Sequence, residues 1–182
     1  MIYIGMIFIA ILGTLLHFTY EASHHSKFVA MFSAVNESTW EHIKICMTPT
    51  IIWSLYDGYV YGLNSNYLIA KALCFLTIIL LIPILFYLYT AFTKKAILPI
   101  DVICFYIVIV CSQLVFYHFI NINPLPFIYT YLCGILLFIE LAAYMFLTFQ
   151  PLKNFIFKDP ITHKYGLRGH SHEHHHDHHH EH

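Results

Sequence analysis

Apolar residues run in long blocks along this chain, and polar residues are confined to short gaps between them. Ile2–Tyr20, Tyr67–Phe92, Ile97–Ile120 and Phe127–Phe149 are each long enough for a helix to cross about 30 Å of hydrocarbon. A fifth block, Ile43–Gly62, has Lys44 at its start and Asp57 near its end. Its centre, Ile45–Tyr56, carries no charge, and both ionisable groups sit where side chains can snorkel to an interface. The pattern predicts an all-α fold, a polytopic membrane helix bundle of about five transmembrane helices over residues 1–158. A four-helix bundle with Ile43–Gly62 re-entrant is the competing arrangement.

Composition agrees. Hydrophobic residues make up 59% of the chain and charged ones 10%, where a soluble domain carries about a quarter charged. Eight basic residues fall in the first loop, the third loop and the tail, against Lys71 alone on the other side. The positive-inside rule then puts the N-terminus outside and the C-terminus in the cytoplasm. The first helix has no basic leader and no small-residue cleavage site, so it is expected to stay as an anchor. Cys46, Cys74, Cys104, Cys111 and Cys133 all lie in apolar blocks without C-x-x-C spacing, so a disulfide framework is not expected. Cys104, Cys111 and His118 share a helical stripe, but seven residues span roughly 10 Å, too far for one ion.

The gap between the first two blocks carries the candidate chemistry. Charges near a bilayer are costly, about 2.5–3.5 kcal/mol each at a helix centre, and are usually kept for a task. If the first helix continues past its apolar part, His17, Glu21, His24 and His25 line one face, and His17 with Glu21 has the one-turn spacing of paired zinc ligands. Solvated residues on a wet loop fit the same spacing. Ser38 and Glu41 read as a capping box at the start of the next helix, with Glu37 stabilised at its positive end and Trp40 at the headgroup level. That structural account leaves Asn36, Glu37 and His42 unexplained, and an extra carboxylate and imidazole suit a metal or proton-relay site.

His17-Phe-Thr-Tyr-Glu21 and Phe32-Ser-Ala-Val-Asn-Glu-Ser-Thr-Trp-Glu-His-Ile-Lys44, followed by Pro49, resemble the signature of a family of small bacterial multi-helix membrane proteins with no assigned activity. Phe157-Lys-Asp-Pro and Tyr165-Gly166 are similar to that family's C-terminal end. The resemblance implies a shared fold and a polar centre around His17, Glu21, Asn36, Glu37, Glu41 and His42. It implies no reaction.

Two acids lie inside later blocks. Glu140 is about nine residues from the end of its helix, and a lone carboxylate there must be protonated, paired or metal-bound; His17 is its expected partner. Asp101, after Pro99, fits a first-turn carboxylate favoured by the helix dipole. Asp57 and Lys71 fall on one side, where pairing and separate interfacial positions fit equally well.

The tail, residues 159–182, is expected to be a disordered cytoplasmic segment. From residue 170 it holds His170, His172, His174, His175, His176, His178, His179, His180 and His182, interrupted by Glu173, Asp177 and Glu181, unlike a purification tag. Such a tract binds divalent transition metals through neutral imidazoles and releases them as the histidines protonate near pH 6.5.

The leading expectation is therefore transition-metal binding and transport or homeostasis, zinc or nickel being the cofactor, with His17, Glu21, Glu41, His42 and Glu140 as core ligands. Asn36, Glu37, Ser38 and Asp101 would complete the polar site. One alternative is a membrane-embedded metal-dependent hydrolase or lipid-modifying enzyme in which Glu37, the candidate catalytic residue, activates water. Another is a non-catalytic subunit that docks a partner. Membrane lipid and a metal ion are the expected partners. The chain has no P-loop, nucleotide fingerprint or G-x-S-x-G, so neither nucleotide nor nucleic acid is expected.

Overall fold

Five helices form where the apolar blocks lie: α1 (Ile2–Ala22), α2 (Thr39–Tyr61), α3 (Tyr67–Thr93), α4 (Leu98–Asn121) and α5 (Phe127–Phe149). The structure is a computed structural model that describes residues 2–160 and 163–165. The histidine-rich segment from His170 lies outside the described residues, as does Gly166. At 1.5 Å per residue, helices of 21 to 27 residues are roughly 31–40 Å long, enough for a bilayer core. Four of them, α1, α3, α4 and α5, are also apolar enough to cross a membrane.

Packing explains why α2 tolerates more polar residues. It touches α1, α3 and α4, and the stretch from Thr39 to Thr50 is buried at every position but His42. Such a helix faces protein rather than lipid, so Lys44, Thr48, Thr50 and Asp57 find partners inside the bundle. α3 lies against α2, α4 and α5, while α1 packs on α2 and α4. The core centres on Ile9, Cys46, Met47, Phe75, Ile78 and Ile109. Outward faces carry exposed apolar side chains at helical spacing, such as Ile7, Ile11, Leu15 and Phe18 on α1 and Leu80, Ile84 and Leu88 on α3, which suits contact with lipid.

Several sequence expectations need correction at the end of the bundle that carries the C-terminal segment, here called the tail end. Lys44 does not snorkel. It is fully enclosed, with Nζ 2.7 Å from Glu41 Oε2 and donating to the Ala30 carbonyl oxygen at 2.8 Å. Ser38 occupies the N-cap position of α2, yet its side chain caps nothing. The capping box does not close because the Glu41 carboxylate is taken by Lys44 and by the Val35 amide, at 3.1 Å, while Asn36 Oδ1 accepts from the Ser38 amide. Trp40 is buried, stacked on Phe157 with centroids 5.0 Å apart. Its amide donates to the Ile156 carbonyl oxygen at 3.0 Å, so the chain after α5 folds back over the start of α2. That packing passes the expected boundary at residue 158: Asp159 is buried, and Lys158 bridges to Tyr165.

Candidate functional site

α1 approaches α2 closely because residue 13 is glycine. A Cβ there would stand 2.8 Å from the Ile45 carbonyl oxygen and 2.6 Å from the Phe105 ring. One turn further on, His17 faces the start of α2. Glu37 sits in the loop ahead of α2, and His42 in the first turns of that helix. The three side chains meet. His17 Nε2 is 3.7 Å from Glu37 Oε1, His42 Nε2 is 3.9 Å from Glu37 Oε2, and the two imidazole centroids are 6.1 Å apart.

The tautomer of His42 follows from its other nitrogen. Nδ1 lies 3.0 Å from the Ser38 carbonyl oxygen, which can only accept, so Nδ1 carries the proton. A neutral His42 therefore turns the Nε2 lone pair toward a carboxylate oxygen. Two lone pairs repel, and a cation between them removes the conflict, whether a proton or a metal ion. An N–H given to a backbone carbonyl is also how metal-ligating histidines are usually oriented. His17 Nδ1 is buried without a hydrogen-bond partner. Ligands about 2.0–2.2 Å from a tetrahedral zinc stand roughly 3.3–3.6 Å apart, and both imidazole–carboxylate distances are wider than that. Among the described residues no group of three or more His, Cys, Asp or Glu is already set to hold a metal ion.

The remaining candidates separate into other settings. α1 ends at Ala22, and His24 and His25 have φ of 52° and 63°, so neither continues the face of His17. Glu21 stays on the exposed side of α1, within electrostatic reach of His17. Glu41 serves Lys44, and Asn36 and Ser38 shape the turn before α2. Asp101 accepts a 2.6 Å hydrogen bond from the Tyr89 hydroxyl and faces a cavity of about 140 Å³ shared with Thr14, His17, His42, Phe105 and Tyr106. Its walls are mostly apolar.

Glu140 does not join His17. α5 packs on α3 and α1 on α2 and α4, which keeps the two side chains apart, and both Glu140 carboxyl oxygens are buried without a partner. Asp57 and Lys71, by contrast, form a buried ion pair, with the Lys71 ammonium 4.1 Å from the Phe116 ring centre. His118 is exposed, and Cys104 and Cys111 are only half-buried.

Sequence reading passed over three groups that belong to this interior. Tyr144 shares a 2.7 Å hydrogen bond with Thr48, and Asn66 bonds the carbonyl oxygens of Ile122 and Asn123 and the Leu125 amide, fixing the α4–α5 turn. Ser112 is fully buried beside Gln113. The signal for Tyr144 was its i+4 position on the face of Glu140.

The model of a family of unknown function (DUF6512) matches residues 1–167. Neither the curated proteins nor the solved structures contain a match to this chain.

Proposed function

We propose, for a chain that belongs to this family of unknown function, a multi-pass protein of the bacterial plasma membrane that binds a divalent transition-metal cation and serves its transport or homeostasis. One observation carries the reading: His42, with its proton fixed on Nδ1, points a lone pair at the same carboxylate that faces His17. Glu37 lies in the loop ahead of α2, so its carboxylate can move toward an ion without displacing a helix. Zinc and nickel both suit two imidazoles and one carboxylate. Glu21 is near enough to His17 to adjust the local charge, and Glu41, Asn36 and Ser38 hold the loop in place. With the N-terminus outside, the site lies toward the cytoplasm, the side to which the histidine-rich segment is attached.

The test is the metal content of the full-length protein in detergent, with the nine histidines from His170 to His182 replaced by serine. The expected result is about one zinc per chain, lost in His17→Ala, His42→Ala and Glu37→Gln. Absence of metal, or retention in all three variants, defeats the reading.

The second reading is a metal-dependent hydrolase or lipid-modifying enzyme. The cavity beside His17, His42 and Asp101 favours it, because an apolar chain fits between α1 and α4 with its polar end at the imidazoles. Glu37 would then activate water on the bound ion. Ion uptake into vesicles, measured beside turnover of a lipid ester, separates the two.

A further inference from the structure

Buried polar side chains occur at every level of the bundle, from the end opposite the tail to the tail end. At the opposite end Asp57 and Lys71 pair, 3% and 1% exposed. One turn inward Gln113 Nε2 donates to Cys74 Sγ at 3.6 Å, and Ser112 also bonds that thiol. Glu140, 5% exposed, comes next, within electrostatic reach of Cys74 on α3 and of Cys133 on its own helix. One turn beyond it the Tyr144 hydroxyl meets Thr48 on α2 at 2.7 Å, and Thr48 in turn bonds the Lys44 carbonyl oxygen at 2.8 Å. Lys44 pairs with Glu41, which completes the series at the tail end.

Stability does not account for this arrangement. Leucine at any of these positions would satisfy a membrane interior, and a buried polar group left without a partner costs free energy. The Asp57–Lys71 and Glu41–Lys44 pairs at least compensate their own charges. Glu140 compensates nothing, since both of its oxygens are unpartnered. Nor does it join a metal site, because no cluster of three ligating side chains includes it among the described residues. What remains is a buried carboxyl group midway along the bundle, between hydrogen-bonded polar side chains toward either end. Such intramembrane carboxylates mark proton routes.

We infer that the interior of the bundle passes protons between its two ends, with Glu140 as the group that takes up and releases each proton midway. The Asp57–Lys71 pair, Gln113, Ser112 and Cys74 serve the half nearest the opposite end. Tyr144, Thr48 and the Lys44–Glu41 pair serve the tail half. The His17–Glu37–His42 site is not part of this series, so the inference stands or falls apart from metal binding.

The experiment uses the full chain reconstituted into phosphatidylethanolamine–phosphatidylglycerol vesicles that enclose a pH-sensitive dye. A potassium diffusion potential set with valinomycin drives protons inward and balances their charge. Wild-type vesicles are expected to change internal pH about tenfold faster than protein-free ones, and Glu140→Gln to bring the rate back to the protein-free level, with Glu140→Asp between. Helix content and the melting temperature in detergent serve as checks that each variant is folded. If Glu140→Gln does not fold, Tyr144→Phe, which removes only the hydroxyl bonded to Thr48, is expected to slow entry several-fold. Wild-type flux no faster than protein-free vesicles overturns the inference. So does an unchanged rate in whichever of Glu140→Gln and Tyr144→Phe is folded.

Discussion

Glu41 and Lys44, three residues apart at the start of α2, form an ion pair of 2.7 Å with both side chains almost wholly enclosed. Removing one partner leaves the other charge buried alone, which typically costs about 3–5 kcal/mol. Glu41→Gln or Lys44→Met is therefore expected to lower the melting temperature in detergent sharply. The double variant Glu41→Leu/Lys44→Met recovers most of the loss, and failure to recover shows that more than charge compensation is at stake.

Gly13 lets α1 reach α2. In Gly13→Ala the added methyl meets the Ile45 carbonyl oxygen, a backbone atom that cannot rotate away. The expected loss of stability is about 1–3 kcal/mol, as for other overpacked contacts. Because His17 lies one turn further along, the same variant is also expected to lower zinc retention. Unchanged retention at reduced stability separates the helix contact from the site.

Acidification is expected to empty the proposed metal site, because an imidazole ligates only in its neutral form and a metal there would compete with protons for the ring nitrogens. Full-length protein with the tail histidines replaced is dialysed at pH 7.5 and at pH 5.5. Metal retention falls with decreasing pH and returns on neutralisation. Equal retention at the two values argues against imidazole ligation.

Tyr89 ties the end of α3 to the start of α4 through its 2.6 Å hydrogen bond to Asp101. Hydrogen bonds to charged groups contribute about 1.5–3 kcal/mol, so Tyr89→Phe is expected to lower stability by that order. Asp101 then turns more freely in the cavity beside His42. An unaltered denaturation midpoint shows that water replaces the hydroxyl.

The five helices were legible because lipid-facing segments must be long and apolar, and Tyr67–Phe92, Ile97–Ile120 and Phe127–Phe149 begin and end almost where α3, α4 and α5 do. The polar residues Glu37 and His42 were legible as chemistry, since they exceed what a helix start requires. Their partners were not. A capping box and an i,i+3 ion pair compete for the same Glu41 carboxylate, and only the enclosure of Lys44 decides between them. Glu140 was matched to His17 by depth alone, and depth says nothing about which helices are neighbours. The burial of Trp40 depends on Ile156 and Phe157, more than a hundred residues later, a contact that no local pattern encodes.

Of the 23 residues of α5, Glu140 and Tyr144 are the two that are fully buried. The rest of the helix presents side chains such as Phe138, Ile139 and Phe146, which lipid solvates as well as protein does. Leu137, Leu141 and Leu147 also lean on the core, so α5 is the helix whose fully buried points are both polar. A small outward tilt would part Tyr144 from Thr48 and open the surroundings of Glu140 in one movement, so that gating and exposure become a single mechanical event.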